Sequence, residues 1–476
     1  MSRIGQRPML ASETARRAVG ATTARGFGAM LRLAPLGVLL FGLACGESSP
    51  PRLLLLISVD TLRADALGTY GARPGATPSI DALARESVVF EHAYAPTPLT
   101  LPSMASVLTG RHPEALAMQN NESTVPDGVE TLAADLSQAG WRTGAVIGNF
   151  VLRRGSGLDR GFDRFDDLLP QRERVRRWPE RIASDTTVAA IEMVADCGTL
   201  VSERCFIWVH YQDPHGPYDP PGDRRQRFLD EERARSDGAV RLPPGDDHLG
   251  IGSLPAYQQL DGHREVAFYR AGYRGEVAFV DEQVGRLLDA VAEAGLEEES
   301  LVVFLADHGE SLGEHGVWFS HGSRLTDEQV RVPLLLRDPR EVPRRIDRPV
   351  ALLDLRSTLR GLLGLQVADP GRDLLAEGSS SQPYLSTLGV LKQPRRAIIA
   401  EGHKLIMEDG PVQPSFRLYR LGEESLDLAA SQPEIVARLK AELQSAHLSM
   451  ESDRPETRRN LSPEDQQQLR ALGYGQ

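Results

Sequence analysis

The sequence predicts an α/β protein with a mainly parallel central sheet between helices. Three observations predict this class: short continuous apolar runs recur along the chain, stretches with helical spacing separate them, and polar residues follow several of the runs. A continuous apolar run is typical of a strand that is buried on both faces of a parallel sheet. Strands that alternate with helices form layered α/β sheets, whose active sites lie outside the carboxyl ends of the strands.

The first predicted strand is Leu53–Val59, and Asp60 follows its end. Further runs of the same kind are 143–148, 206–210, 301–306 and 332–336. Asp307 and His308 come directly after the run 301–306. Because the carboxyl ends of parallel strands meet at one edge of a sheet, we expect these two residues to lie near Asp60.

The remaining regions are predicted from helical spacing and composition. Apolar residues repeat on one helical face over 277–291. Residues 220–261, rich in Arg, Asp, Gly and Pro, form either an excursion over the active-site edge or a surface insertion. From about residue 370, short strand signals precede a charged amphipathic helix at 434–446. We therefore expect a catalytic domain over 53–370 and a small C-terminal α+β subdomain over 371–476.

The N-terminal residues resemble a lipoprotein export signal. The apolar run 36–44 follows Arg32, is too short to span a bilayer, and ends at Cys45, the residue that would be lipidated. We expect a leader at 1–45, with Met30 as an alternative start, a linker at 46–52, and a periplasmic or cell-envelope lipoprotein anchored at Cys45. A buried helix that starts a cytosolic protein is the alternative.

Two further cysteines, Cys197 and Cys205, follow the leader. In an oxidising compartment they could form a disulfide, and in a cytosol they would remain thiols. The sequence leaves both outcomes open.

The charge balance argues against a nucleic-acid partner. The first 44 residues hold six Arg and one acid, so the net charge of −12 becomes −17 for the remainder. A nucleic-acid-binding protein normally shows a basic face. An acidic enzyme can still bind an anionic ester where a metal ion supplies local positive charge.

Three separated segments carry residues suited to metal chemistry. The first contains Asp60, the second is a hydroxyl-rich helix start at Thr100, and the third begins with Asp307-His308 and extends to His321. An acid at a strand end, taken alone, is more often a helix cap than a ligand. Carboxylates together with an imidazole suit Ca²⁺, Mg²⁺, Mn²⁺ or Zn²⁺, and composition does not choose among them.

In order and spacing these motifs resemble the bacterial sulfatase family of the alkaline phosphatase superfamily, over about residues 53–365. The resemblance implies an alkaline phosphatase-like α/β/α sandwich. It also implies that Asp60, Asp307 and His308 bind a divalent metal ion, with Ca, Mn and Zn as the candidates. Thr100 matches the position of the nucleophile and would be a further metal ligand.

The resemblance adds two histidines to the expected catalytic residues. His215 matches a family histidine near the oxygens of the ester, where it would stabilise charge or protonate the leaving group. His321 matches a histidine of the active-site rim more weakly. A further hypothesis is a second metal ion held by Asp213, His215 and His321. The spacing of these residues in the sequence does not establish it.

The nucleophile segment departs from the family pattern. Typical sulfatases carry Cys or Ser in a Cys/Ser-x-Pro-x-Arg signature, oxidised to formylglycine, whereas this chain reads Thr100-Leu101-Pro102-Ser103-Met104. Asn149 stands where many sulfatases have Lys. A formylglycine mechanism is therefore not expected. Superfamily relatives with Thr at this position act on phosphate esters, so the resemblance favours phosphoester chemistry. In the alternative, Thr100 merely caps the following helix.

We expect a metal-dependent hydrolase of sulfate or phosphate esters with Thr100 as the metal-activated nucleophile. Its substrate would be an anionic small molecule or a glycan or lipid ester, and only the N-terminal lipid anchor would contact a membrane. One alternative is an envelope transferase of phospho-headgroups, which the missing multi-span N-terminal domain disfavours. The other is a non-catalytic anion-binding protein of the same fold, which retention of all three metal ligands disfavours.

Overall fold

The computed structural model describes residues 50–453, except 74, 201, 366–370, 379–381, 392–393 and 409–412. The predicted leader 1–45, with Met30 and Cys45, and most of the linker 46–52 lie outside the described residues and stay predictions. Among the described residues, no helix combines the length and the apolar character that a membrane span requires.

The strands and helices of the described residues alternate over most of the chain. The strands are β1 (Leu53–Val59), β2 (Val88–Tyr94), β3 (Arg142–Ile147), β4 (Arg164–Asp166), β5 (Gln171–Arg172), β6 (Pro179–Glu180), β7 (Cys205–Tyr211), β8 (Ser300–Ala306), β9 (Ser311–Leu312), β10 (Trp318–Ser320), β11 (Arg331–Val332), β12 (Leu334–Arg337), β13 (Arg344–Ala351), β14 (Tyr384–Ser386), β15 (Arg395–Ala400), β16 (His403–Glu408) and β17 (Ser415–Arg420). The helices are α1 (Pro78–Arg85), α2 (Thr100–Thr109), α3 (Leu132–Gln138), α4 (Ala183–Thr199), α5 (Arg224–Arg233), α6 (Val266–Glu293), α7 (Asp327–Val330), α8 (Leu355–Leu362) and α9 (Pro433–Ser452).

A large sheet forms the centre of the fold, with the order β11-β2-β12-β8-β1-β7-β3-β4 and with β13 paired to β2. The pairs β8-β1, β1-β7, β7-β3 and β3-β4 are parallel. Every residue of β1 is fully buried. Because side chains alternate between the two faces of a strand, both faces of the sheet are covered at β1. The predicted mainly parallel α/β fold is confirmed.

One predicted parallel strand is different in the structure. The apolar run 332–336 is divided between β11 and β12 at Pro333, and both strands run antiparallel to β2. Proline has no backbone N–H to donate to a sheet, so it interrupts the ladder. An apolar run predicts burial, but it carries no information about strand direction.

The register of the sheet brings the ends of three strands to one edge. Val59, the last residue of β1, is paired with Tyr211 of β7 and with Ala306 of β8. The residues that follow these strands therefore leave the sheet side by side. This edge contains the candidate site described below.

The segment 220–261 packs against this edge. Ile251 forms an isolated bridge with Val317, and the backbone N–H of Trp318 donates to the carbonyl of Gly250 over 2.8 Å. Val317 lies between β9 and β10, Trp318 begins β10, and His321 follows this hairpin. The structure therefore agrees with the first of the two interpretations, in which this segment is an excursion over the active-site edge.

The C-terminal region contains a four-stranded antiparallel sheet, β14-β15-β16-β17, which packs against α9. The predicted boundary between 370 and 371 lies at the edge of a gap in the described residues, so the division into 53–370 and 371–476 stays a prediction. Elsewhere, Cys197 of α4 and Cys205 of β7 form a disulfide, which answers the question that the sequence left open.

Candidate active site

Three of the predicted metal ligands meet at the edge where β1 and β8 end. Asp60, Asp307 and His308 are fully buried. Each offers a ligand atom within 4.8 Å of the other two. Asp60 follows β1 and the other two residues follow β8, so the parallel register of these strands sets their proximity.

Each carboxylate of this group has one oxygen with hydrogen-bond donors and one without. Oδ1 of Asp307 accepts the backbone N–H groups of Thr61, over 3.1 Å, and His308, over 2.7 Å. Oδ2 of Asp60 accepts the side-chain amide of Asn149. Oδ2 of Asp307 and Oδ1 of Asp60 have no donor among the described residues. A buried carboxylate oxygen without a partner is costly, and a cation would satisfy it.

The third ligand atom is Nε2 of His308. Nδ1 of this ring lies 2.9 Å from the carbonyl oxygen of Gly309, to which it donates, so Nε2 keeps its lone pair. Nε2 lies 3.8 Å from Oδ1 of Asp60 and 3.5 Å from Oδ2 of Asp307. Two unpartnered carboxylate oxygens and an imidazole lone pair thus face one another, and this donor set fits a divalent cation.

The two carboxylates are held at an electrostatic cost without a cation. Burial raises the pKa of Asp60 to about 7. Burial and then the neighbouring charge of Asp60 raise the pKa of Asp307 to about 6. A positive charge between the two side chains would stabilise their ionised forms.

The hydroxyl of Thr100 faces the three ligand side chains. Its Oγ1 lies 3.3 Å from Nε2 of His308 and 3.5 Å from Oδ2 of Asp60, and the residue is 2% exposed. Thr100 is the first residue of α2, whereas the N-cap residue is Leu99. The structure therefore contradicts the alternative in which Thr100 caps the helix.

The two other predicted histidines continue from His308 toward the mouth of the site. The ring of His321 lies 4.6 Å from that of His308, and the ring of His215 lies 5.3 Å from that of His321. Burial lowers the pKa of His321 to about 4 and the pKa of His215 well below its usual value. Nδ1 of His215 lies 2.8 Å from the carbonyl of Gly216, so a neutral His215 presents the lone pair of Nε2.

The alternative with a second metal ion finds no support at Asp213. Its Oδ2 accepts the backbone N–H of Ala183 over 2.7 Å at the start of α4. Its carboxyl group also pairs with the buried Glu276, whose pKa is raised by burial and then by the charge of Asp213. Among the described residues, the clusters with metal-ligand geometry do not include Asp213, His215 and His321.

Two further residues lie next to Asp60: Asn149, which the sequence marked only as a departure from the family pattern, and His210, which was not predicted as a site residue. Oδ1 of Asn149 accepts the backbone N–H of Val151 over 2.8 Å, which turns its amide nitrogen toward Asp60. Nε2 of the fully buried His210 lies 3.8 Å from Oδ2 of Asp60. A histidine within the otherwise apolar run 206–210 was the sequence signal for the second residue.

The rim of the site contains further residues that the sequence did not indicate. The ring of Tyr257 stacks on His215 with 6.0 Å between ring centres. The guanidinium of Arg176 lies 4.6 Å from the centre of the Tyr257 ring and 3.7 Å from that of Trp178. These residues come from segments without regular periodicity, so no pattern pointed to them.

A hydroxyl lies beside two carboxylates and an imidazole that could hold a divalent ion, at the carboxyl ends of parallel strands. This arrangement is the one expected of an ester hydrolase. Residues 52–365 match the Sulfatase family. The chain belongs to the sulfatase family of the alkaline phosphatase superfamily.

Individual relatives agree with this assignment. The chain is 26% identical over 357 residues to the uncharacterized sulfatase YidJ of Escherichia coli (strain K12), with 68% of this chain and 70% of that protein covered. Choline-sulfatase of Rhizobium meliloti (strain 1021) is 26% identical over 359 residues, with 66% and 68% covered. The structure of the phosphonate monoester hydrolase of Silicibacter pomeroyi is similar with a TM-score of 0.65 at 19% identity, covering 83% of this chain and 95% of that one.

Proposed function

We propose that this protein hydrolyses phosphate or sulfate esters with Thr100 as the nucleophile and that it prefers phosphoesters. The observation that carries the proposal is the position of the Thr100 hydroxyl, 3.3 Å from Nε2 of His308 and 3.5 Å from Oδ2 of Asp60. The name of one relative refers to a sulfate ester and that of one structural neighbour to a phosphonate monoester. Both chemistries are therefore represented among similar proteins.

Metal binding and nucleophilic attack are carried out by different residues of the chain. Asp60, Asp307 and His308 would hold a divalent ion, which supplies Lewis-acid chemistry and lowers the pKa of a hydroxyl near it. Oγ1 of Thr100 forms a bond to phosphorus as the bond from phosphorus to the leaving oxygen breaks. The proton lost from Thr100 balances the proton gained by the leaving alcohol. Water then cleaves the phospho-threonine bond and regenerates Thr100.

His215 is placed to move a proton. Its Nδ1 is tied to the Gly216 carbonyl, so Nε2 accepts a proton and can later return it to the leaving oxygen. The low pKa of this buried ring keeps it neutral at neutral pH. The ring of His321 lies 5.3 Å from that of His215 and 4.6 Å from that of His308, where it can stabilise charge on the ester or protonate the leaving group.

The identity of Thr100 favours phosphorus over sulfur. Hydrated formylglycine carries two hydroxyls on one carbon, so its sulfate adduct can collapse to the aldehyde without attack of water on sulfur. A threonine adduct lacks that route and has to be hydrolysed directly. Sulfate-ester turnover is therefore expected to be slower than phosphoester turnover.

A substrate panel tests the proposal. An aryl sulfate, a phosphate monoester, a phosphate diester and a phosphonate ester are compared in wild type, Thr100→Ala, Thr100→Ser and chelator-treated protein. We expect the phosphorus esters to turn over fastest, Thr100→Ala to lose at least about 10³-fold in kcat, and Thr100→Ser to retain part of the activity. Mn²⁺, Zn²⁺ or Ca²⁺ should restore the chelated enzyme.

The control variant is Thr109→Ala at the other end of α2. Its hydroxyl donates to the carbonyl of Ala105 over 2.6 Å and is equally buried, so the variant measures the loss of a helix hydroxyl away from the site. Sulfate-ester turnover that survives Thr100→Ala would contradict the mechanism. Binding of metal without turnover of any ester would favour the anion-binding alternative.

We also propose that the protein acts in the cell envelope as a lipoprotein anchored at Cys45, on an anionic small-molecule, glycan or lipid ester. The disulfide between Cys197 and Cys205 supports an oxidising compartment. In cells, Cys45→Ser should move the protein from the membrane fraction to the soluble envelope fraction. Unchanged fractionation would contradict the anchor.

A further inference from the structure

A row of buried polar side chains lies behind Asp60. Nε1 of Trp208 donates to Oγ of Ser58 over 2.8 Å, Oγ of Ser58 lies 2.8 Å from Nδ1 of His210, and Nε2 of His210 lies 3.8 Å from Oδ2 of Asp60. All four residues are 0% exposed. The parallel pairing of β1 with β7 places Ser58 opposite His210, and alternate residues share a face of the sheet.

The donor and acceptor groups of this row indicate the direction of its hydrogen bonds. The indole N–H of Trp208 can only donate, so it occupies one of the two acceptor lone pairs of the Ser58 oxygen. The single hydroxyl proton of Ser58 then has two acceptors within reach, Nδ1 of His210 at 2.8 Å and the carbonyl of Val209 at 3.4 Å. The shorter contact is the better hydrogen bond.

The groups on either side of the His210 ring decide which nitrogen carries the proton. Ser58 can donate to Nδ1, whereas the carboxylate of Asp60 faces Nε2 and can only accept, so the proton is on Nε2. Nε2 has no hydrogen-bond partner among the described residues and faces Asp60. The opposite tautomer would direct a lone pair at the carboxylate. At 3.8 Å the N–H acts on Asp60 as a dipole through a buried, low-dielectric gap.

We propose that His210 is a positioning residue that orients Asp60 for metal binding, with its tautomer set by Trp208 and Ser58. The N–H of His210 and the amide of Asn149 both face Oδ2 of Asp60. Oδ1 is thereby left to face Nε2 of His308. The inference rests on the metal site of the proposed function, and it adds three residues that do not touch the substrate.

The role predicts a graded loss of metal affinity. Partners that orient a metal ligand typically contribute about 10- to 100-fold to affinity. His210→Phe, which removes the N–H facing Asp60, should weaken Mn²⁺ binding within that range. His210→Gln places an amide N–H near the position of Nε2 and should bind Mn²⁺ more tightly than His210→Phe. Ser58→Ala, which frees the tautomer, should lie between wild type and His210→Phe.

The matched control is Tyr211→Phe on the same strand. Its hydroxyl pairs with that of Thr187 over 2.9 Å and is fully buried. Tyr211 is adjacent to His210 in sequence, so its side chain points to the other face of the sheet. This variant loses a buried hydrogen bond without approaching Asp60, and its Mn²⁺ affinity should equal that of wild type.

The experiment is a competition titration of full-length protein with Mn²⁺ and a chelating dye, with thermal melting to verify folding. A nitrogen-15 NMR spectrum of histidine-labelled protein supplies a second readout, in which His210 should carry its proton on Nε2. Wild-type affinity in His210→Phe, equal affinities in His210→Gln and His210→Phe, or a proton on Nδ1 in wild type would each overturn the proposal.

The titration separates this inference from the proposed function. If wild type binds Mn²⁺ but hydrolyses no ester, the proposed function fails while the affinity series still decides the role of His210. If wild type binds no Mn²⁺, the positioning role fails with the metal site.

Discussion

The centre and the rim of the candidate site are built in different ways. The centre, Asp60 with Asp307 and His308, is fully buried and follows directly from two paired strands. The rim, with Tyr257 and Arg176, comes from irregular segments and is held by stacked rings and a guanidinium. Backbone register thus determines where a cation would bind, whereas side-chain packing between loops determines what lies beside it. Substitutions in the centre should therefore lower metal affinity, whereas substitutions in the rim should change the kinetics and leave metal affinity unchanged.

Asp307→Asn, in the centre, should give the largest loss of metal affinity and so the clearest difference from the rim. An asparagine oxygen can still accept the N–H groups of Thr61 and His308, but its amide replaces the carboxylate oxygen that has no donor. We expect metal affinity to fall by at least about 100-fold, since a charged ligand is lost outright. The measurement is isothermal titration with Mn²⁺ or Zn²⁺.

Asp281→Asn is the control for this prediction. Asp281 is buried and accepts the backbone N–H groups of Ser79, over 3.2 Å, and Ile80, over 2.8 Å, at the start of α1. This change should lower stability without changing metal affinity. Equal losses of affinity in both variants would show that the centre depends on general stability rather than on its ligands.

The sequence predicted the centre because each of its residues directly follows a continuous apolar run. A buried parallel strand has few registers that keep its apolar residues inside, so the residue after each run is placed with little ambiguity. Thr100 needed the family resemblance as well, because a helix start carries no such constraint. The metal ligands and the nucleophile remain proposals, although the structure places them together.

Two features were beyond the sequence for physical reasons. The run 332–336 predicted a buried strand, yet its direction depends on the connection that precedes it, and Pro333 divides it. Tyr257 stacks on His215 only because the long segment 220–261 folds back over the edge. Such packing depends on contacts distant in sequence, which no local periodicity reports.

His215→Gln should reduce turnover and leave metal binding unchanged. The lone pair of Nε2 is lost, while a glutamine of similar length retains much of the packing next to Tyr257 and His321. We expect a fall of about 100-fold in kcat, in the range for removal of a group that transfers a proton. Steady-state kinetics together with a Mn²⁺ titration measure both quantities. A parallel loss of Mn²⁺ affinity would place His215 in the centre instead.

The centre should make the metal-free protein less stable as the pH rises through about 6.5 to 8. Burial raises the pKa of Asp60 to about 7 and that of Glu310 to about 8. The folded state therefore binds protons in this range that the unfolded state has already lost, and the free energy of unfolding falls with pH. Buried histidines with lowered pKa values, such as His321, bind protons only in the unfolded state near pH 6.5 and oppose the trend there, so the effect of the centre is measured as the difference between wild type and a variant with the same histidines.

Urea unfolding in chelator at pH 6.5, 7.25 and 8 tests this linkage. Asp60→Asn removes one of the titrating groups, so its unfolding free energy should fall less over the same pH range. Saturating Mn²⁺ should offset the fall, because a bound cation stabilises the ionised carboxylates. The same change of unfolding free energy with pH in wild type and in Asp60→Asn would contradict the prediction.

Arg176→Ala should give the smallest effect and separate the rim most clearly from the centre. The Arg176 guanidinium lies over two aromatic rings, and its Nε donates to Oε1 of Glu173 over 3.0 Å. Burial is the main cause of the lowered pKa of His215, and the charge of Arg176 contributes to it. A partly exposed charge is worth up to about 1 kcal/mol, so we expect KM for an anionic ester to rise about 2- to 5-fold. Because the rim does not touch the ligand atoms, Mn²⁺ affinity should be that of wild type. A loss of Mn²⁺ affinity would mean that the rim also supports metal binding at the centre.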